Sequence, residues 1–329
     1  MRVLAGDVGG TNARLAIVDV TERNACLLYK RQFASKEFPG LGPIIQTFLD
    51  GVAEKPDRAS FGVACPVVNG ACTMTNLSWT INAPSLAAET GIPQVELTND
   101  FYALGHALPR LSSSDLAVLQ PGEPNDLGVK ALIGAGTGLG AAFVTWSGES
   151  YEVHASEGGH TSFSPTNDLE SGLLATLTKR FGHVSAERVV SGTGIMAIYQ
   201  HLAEIGAAEE QDSVRAEMER SDPAAVISRH ALAGTDPLSE STLAVFTSAY
   251  GGLAGDLALT LLATGGVYVA GGIAPRIVPQ LLDGGFLSAF RAKGRLSEFL
   301  SRIPVNVIVN PDVGLIGAAA VALRRWPSG

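Results

Sequence analysis

Val3-Leu-Ala-Gly-Asp-Val-Gly-Gly-Thr-Asn-Ala-Arg-Leu-Ala-Ile-Val18 is the stretch on which the reading of the chain turns. An apolar run ends in Asp7, passes through Gly9, Gly10, Thr11 and Asn12, and returns as a second apolar run. That is the pattern of a β-hairpin whose tip is bare backbone. Two readings fit it. Glycines without Cβ let amides approach an anion closely, and an Asp at the entry suits a cation that screens the anion, as Mg²⁺ does for nucleotide phosphates. The same residues are also ordinary turn formers.

The figure recurs. Leu4-Ala-Gly-Asp-Val-Gly-Gly10 aligns with Leu132-Ile-Gly-Ala-Gly-Thr-Gly138, and each is followed by another apolar run. Two such units in one chain indicate duplication into two lobes, with both loops facing one cleft. A third glycine turn follows a strand at Val267-Tyr-Val-Ala-Gly-Gly-Ile273, making Gly271 and Gly272 a further candidate nucleotide contact. Val95-Glu-Leu-Thr-Asn-Asp100 reads as a strand ending on two side chains able to meet a ligand, with a helix from Phe101. Better-known phosphate motifs fail on spacing. No GxxxxGK string occurs, and in Gly134-Ala-Gly-Thr-Gly138-Leu the last glycine of a GxGxxG falls one place early.

Between these motifs the pattern alternates strands and helices, the mark of an α/β protein. Asn82-Ala-Pro84 starts a helix that stops at Gly91, and Asp236-Pro237 starts a long one ending near Gly265. Ser, Pro, Gly and Asp dominate Pro109 to Asp126, which reads as an inter-lobe connection, and the charged Glu204 to Asp222 reads as a solvated surface segment. Gly314 to Arg324 has the small-residue spacing of a helix packed closely on other backbone.

Bulk properties exclude several classes. With 329 residues, 46% hydrophobic and 17% charged, the chain is long enough for two cores. A net charge of −9 speaks against nucleic acid or an anionic membrane as partner. The charge-free Leu257 to Pro275 is interrupted by Gly265, Gly266, Gly271 and Gly272, so it reads as a helix end and a strand. Three cysteines, Cys26, Cys65 and Cys72, form no CxxC pair, which speaks against a disulfide framework or a thiolate zinc site. No signal peptide is expected before Asp7, and the reading is a cytoplasmic protein.

Six stretches in order carry a resemblance: Gly6-Asp-Val-Gly-Gly-Thr-Asn-Ala-Arg14, Leu97-Thr-Asn-Asp-Phe101, Gly134-Ala-Gly-Thr-Gly-Leu-Gly140, Glu157-Gly-Gly-His160, His183-Val-Ser-Ala-Glu187 and Val269-Ala-Gly-Gly-Ile273. Together they resemble the bacterial glucokinases of the sugar-kinase/actin/Hsp70 ATPase superfamily. The resemblance implies two RNase H-like lobes of mixed sheet plus helices around a central cleft. The small lobe would be residues 1–110 joined by the C-terminal helix 312–325, and the large lobe residues 111–311. It also implies ATP as donor, glucose as acceptor, glucose 6-phosphate as product, and a homodimer.

Site roles follow from the same resemblance. Asp100 would be the general base for the sugar's 6-hydroxyl; the alternative is that it merely caps the helix from Phe101. Asn99, Glu157, His160 and Glu187 would bind sugar hydroxyls, with Asn76 a weaker candidate. Val8, Gly9, Gly10, Thr11, Asn12 and Ala13, with Gly136, Thr137 and Gly138, would clamp the phosphates. Gly271 and Gly272 would let adenosine lie against backbone, and Asp7 would hold Mg²⁺ through water. Arg14, further along the returning strand, is given no role. The related ROK sugar kinases and repressors carry a cysteine-rich zinc segment after Glu-x-Gly-His, but Thr161 to Glu187 has no cysteine. No zinc is expected, and with the phosphate loop starting at Gly6 no DNA-binding domain either. A kinase for another hexose, a sugar sensor without turnover and an actin-like assembly protein are the rivals.

Overall fold

The computed structural model describes residues 1–53, 55–74 and 77–326. The chain divides into two compact units: Met1–Ser114, Val153–Ala155 and Asn310 onward form the first, and Asp115–Glu152 with Ser156–Val309 the second.

The first unit is built on a five-stranded sheet. Its strands are β1 (Arg2–Val8), β2 (Asn12–Val20), β3 (Ala25–Ala34) and β4 (Arg58–Val63), then, after a small hairpin of β5 (Ala71–Met74) and β6 (Trp79–Asn82), β7 (Gln94–Asn99). The order is β3-β2-β1-β4-β7. β1 runs antiparallel to β2 and parallel to β4, which is parallel to β7. The centre of β1, Val3 to Ala5, is apolar because both its faces are covered. Leu4 packs with Ile44, Ile45 and Phe48 of α1 (Leu41–Leu49). Val3 and Ala5 pack with Leu315, Ala318, Ala319 and Ala322 of the C-terminal helix, Val313–Arg325.

Local chemistry sets the helix ends. α2 (Ala83–Thr90) begins where the Asn82 side chain accepts from Ser85 N at 3.0 Å, and ends on Gly91 at φ 72°. α3 (Asp100–Ala107) lies directly against the C-terminal helix. A Cβ on Gly317 would stand 2.1 Å from the Ala103 carbonyl oxygen, so only glycine allows that approach, as the small-residue pattern led one to expect.

The second unit repeats the plan on a six-stranded sheet. Its strands are β8 (Leu116–Gln120), β9 (Lys130–Ala135), β10 (Leu139–Trp146), β11 (Tyr151–Ser156), β12 (Gly266–Ala270) and β13 (Val305–Ile308). The order β11-β10-β9-β12-β13-β8 reproduces that of the first unit, with β8 added at one edge. Here too the first hairpin is antiparallel and the next strand parallel to it. Helices α4 (Asp168–Phe181), α5 (Gly192–Glu204), α6 (Asp212–Met218), α7 (Pro223–Ala233) and α8 (Pro237–Leu261) precede β12; α9 (Val278–Leu282), α10 (Gly285–Arg291) and α11 (Ser297–Ser301) follow it. α8 starts on Asp236, which accepts from Ser239 N at 2.9 Å, and ends through Leu262 at φ 48° rather than on Gly265. From α8, Tyr250 donates to Ile133 O and accepts from Ala135 N, tying β9 to the helix layer.

Two expected segments, the connection and the solvated surface stretch, also hold secondary structure. The stretch Pro109 to Asp126 contains β8, a short edge strand (Val118 is 53% exposed) whose apolar residues are flanked by residues 112–115 and 121–124, which give the stretch its linker composition. Glu204 to Asp222 contains α6, which buries Val214 and Met218 beneath its charged face. Among the described residues no helix is long and apolar enough to cross a membrane.

Candidate active site

In the first unit the phosphate-loop candidate and the candidate base share one edge of one sheet. Asp7, the next-to-last residue of β1, lies beside Gly62 of β4, and Gly62 lies beside Thr98 of β7. Asn99 and Asp100 follow at the carboxyl end of β7, the end at which open α/β sheets bind ligands. A Cβ at Gly62 would be 3.5 Å from the Asp100 Cα, so the strands close up tightly beneath the site. The Asn99 side-chain oxygen accepts from Phe101 N and Tyr102 N at 3.0 and 3.1 Å, making it the cap of α3. Its oxygen is thereby committed, and its NH₂ is the end suited to a ligand. The Asp100 Oδ1 accepts from Phe101 N at 2.9 Å, which fixes the carboxylate at the helix start.

Between β1 and β2 the tip closes as Gly9 N donates to Asn12 O at 2.9 Å. Ser35, fully buried, braces it by donating its N–H to Thr11 O and its hydroxyl to Gly9 O. Val8 and Ala13 are wholly buried, so of the proposed clamp these two offer a ligand only backbone. Asp7 is paired in register with Arg14, whose Nη2 donates to Oδ2 at 2.5 Å while Nη1 holds the Pro311 carbonyl. Burial raises the Asp7 carboxyl above the usual range, and the Arg14 charge opposes that rise. The start of the C-terminal helix presses on the same group: a Cβ on Gly314 would lie 2.7 Å from the Asp7 carboxyl carbon. Cys65 and Cys72 are buried free thiols, and burial pushes the Cys65 thiol well up.

In the second unit three glycine segments meet. The turn Gly136 to Gly138 closes by Gly136 N donating to Gly138 O at 2.8 Å, and Gly192 N, at the start of α5, donates to Gly136 O at 2.8 Å. Gly271, at φ 84°, is tucked under β9 where a Cβ would stand 2.4 Å from the Ala135 oxygen. The candidate sugar residues gather on the flank of β10. Gly158–His160 forms a single 3-10 turn, and a Cβ on Gly159 would be 2.0 Å from the Leu139 oxygen. Ala186 N donates to Thr161 O at 2.7 Å, and Phe163 N to Val184 O at 2.9 Å. These bonds lay the Glu187 segment beside that turn. Glu157 and His160 are exposed, with His160 Nε2 3.7 Å from Glu157 Oε2. Glu187 Oε2 accepts from Leu139 N at 2.9 Å.

Comparison with known proteins bears on this arrangement. The family described as Glucokinase matches residues 4–325. A glucokinase of Trichormus variabilis is 44% identical over 339 aligned positions, covering 98% of this chain and 99% of its own length. The chain belongs to the glucokinase family. The crystal structure of a glucokinase from an Antarctic psychrotroph, 34% identical, superposes with a TM-score of 0.83 over 98% of this chain and 99% of that one. A ROK family glucokinase from Streptomyces griseus, solved with glucose and AMPPNP, reaches a TM-score of 0.68 over 98% of this chain and 100% of its own, but at 19% identity it speaks for the fold alone. The fold is the α/β fold of the actin-like ATPases.

For a member of this family the metal needs a test against the residues present. Among the described residues no group of three His, Cys, Asp or Glu could hold a metal ion. Asp7 has one oxygen on Arg14. Such a site fits a hydrated Mg²⁺ carried by nucleotide phosphates better than a cage made of protein. Asn76, the weaker sugar candidate, lies outside the described residues. Sequence reasoning missed Arg14, Ser35 and Gly314 beside the first unit's candidate loop, and Gly192 beside the second's. Only Arg14 carried a signal, since a hairpin closing over Gly9 and Gly10 sets position 14 across from position 7.

Proposed function

We propose that this chain is an ATP-dependent glucose kinase, forming ADP and D-glucose 6-phosphate with Asp100 as general base. The observation that carries the reading is the placement of Asp100 and of the Asp7 loop at the same edge of one sheet, in a chain of the glucokinase family. Phosphoryl transfer asks for in-line positioning, neutralised phosphate charge and a group to take the hydroxyl proton. Asp100 accepts the proton of the 6-hydroxyl as the sugar oxygen bonds to the γ-phosphorus and ADP leaves. Asn99 offers its NH₂ to the sugar; Glu157, His160 and Glu187 take further hydroxyls. The backbone of residues 8–13 and 136–138 receives the phosphates, and Gly271 and Gly272 receive adenosine. Asp7 holds Mg²⁺ through water, and the ion when bound supplies neutralisation of phosphate charge.

Residues 1–110 with 312–325, and residues 111–311, act as the two lobes of this reading, closing on the sugar to exclude water. The assembly is a cytoplasmic homodimer, supported by the family resemblance and checked by light scattering of the purified chain. The function is tested by ADP formation with ATP, Mg²⁺ and a panel of glucose, mannose and N-acetylglucosamine, compared as kcat/KM. The reading expects glucose to lead. Preference for another hexose would reassign the substrate, and glucose-dependent thermal stabilisation without ADP would make the protein a sensor.

A further inference from the structure

The turn Gly136-Thr137-Gly138 carries no charge of its own, yet it has a carboxylate at its exit. Glu187 Oε2 accepts from Leu139 N, the first amide of β10, at 2.9 Å. Among protein groups, that carboxylate alone crowds position 138. Its backbone is not in the left-handed region, and a Cβ there would meet only Glu187, at 2.5 Å from Oε2 and 3.4 Å from the carboxyl carbon. Gly138 is a vacancy the size of a methyl group that the Glu187 side chain fills. The arm bearing Glu187 is itself anchored, because the neighbouring Ala186 is buried and its N–H is held by Thr161 O at 2.7 Å. The carbonyl of Leu139 is covered from the other side by Gly159. The N–H and the C=O of Leu139 thus each meet one of the two segments that carry the sugar candidates.

An anionic side chain beside a phosphate loop repels phosphate, so its placement there asks for a compensating role. We propose that Glu187 is a positioning residue for the nucleotide-phosphate loop, one carboxylate oxygen fixing the Gly136–Gly138 turn through the Leu139 amide while the other faces the sugar. This deepens the kinase reading and rests on it for the sugar half. The charge-assisted hydrogen bond orders the turn before nucleotide arrives, so the ordering cost is not charged to binding. Glu187 then belongs to both substrates.

The test is the affinity for AMPPNP with Mg²⁺ in the absence of sugar, measured by calorimetry on the full chain. Glu187→Ala is expected to weaken nucleotide binding by about tenfold or more, the loss typical of a hydrogen bond to a charged group. Glu187→Gln keeps an acceptor for Leu139 N and is expected to stay within about threefold of wild type by the same measure. Gly138→Ala, whose methyl collides only with Glu187, is expected to weaken binding too, and to add nothing further in the Glu187→Ala background. Unchanged or tighter nucleotide binding in Glu187→Ala, with only the glucose KM raised, would overturn the proposal. So would full additivity of the double variant. Failure of the kinase reading shows separately, as a wild type that forms no ADP from ATP and glucose.

Discussion

The two glycine hairpins share one backbone plan and differ in where they keep their charge. In the first unit the carboxylate is on the strand itself, as Asp7, tied to Arg14 across the hairpin and pressed by the start of the C-terminal helix. In the second unit the matching position is Ala135, wholly buried, and the carboxylate arrives from Glu187 on a distant segment. The turns differ too: Gly9 bonds to Asn12, but Gly136 bonds to Gly138, one residue tighter. Duplication supplies two backbone nests, and the residues around them have specialised. One half keeps ionisable groups, Asp7 and Asp100, at the carboxyl end of its sheet, where the proposed kinase reading puts the reacting hydroxyl and the metal-bound phosphate. The other is a neutral surface of glycine backbone suited to a nucleotide, and borrows its single carboxylate.

Perturbing each half separately breaks or sharpens that contrast. The largest effect on stability is expected at His106, buried on α3 with its Nε2 unpartnered. Burial, helped by Arg324 and Arg110, lowers its pKa from 6.5 to about 4. The unfolded chain therefore takes up a proton as pH falls through 6.5, and the folded chain only near 4. Stability contributed at neutral pH is lost across that window, by about 3 kcal/mol at 1.36 kcal/mol per unit. His106→Gln should flatten the dependence of Tm on pH between 6.5 and 4; an unaltered slope would show that other groups set the acid limit.

Next comes Gly271→Ala in the neutral half. It combines a left-handed backbone with a backbone clash, and is expected to cost about 2–3 kcal/mol and to weaken nucleotide binding, with denaturant unfolding and calorimetry as readouts. Wild-type behaviour would contradict the tight seat under Ala135. Smaller still is Arg14→Met, which takes from the Asp7 carboxylate its ion-pair partner and should cost about 1–2 kcal/mol of unfolding free energy. If Arg14→Met instead matched wild type in both stability and kcat/KM for ATP, the Arg14 pairing would be incidental.

How much was legible follows from the kind of signal each feature leaves. The duplicated hairpins, the capped α2 and α8 and the close-packed C-terminal helix were all readable, because glycine spacing and N-cap residues are local marks. Glu157, His160 and Glu187 were readable as candidates, but not the bond from Leu139 N, which joins positions 48 residues apart. β8 was hidden because its five residues lie between the loop formers of residues 112–115 and 121–124, and α6 because its two buried residues sit among charges. Arg14 was set aside by counting along the chain, although the pleat of a hairpin pairs it with Asp7 across the strands.

The central claim is that the charged half carries the chemistry, with Asp100 taking the proton. The most direct measurement is kcat of Asp100→Asn with saturating ATP, Mg²⁺ and glucose, alongside the glucose Kd of the same variant. The account predicts a fall in kcat of about 10²–10⁴, the usual worth of a general base, with Kd changed only a few-fold. A kcat within about tenfold of wild type, below that range, would contradict it.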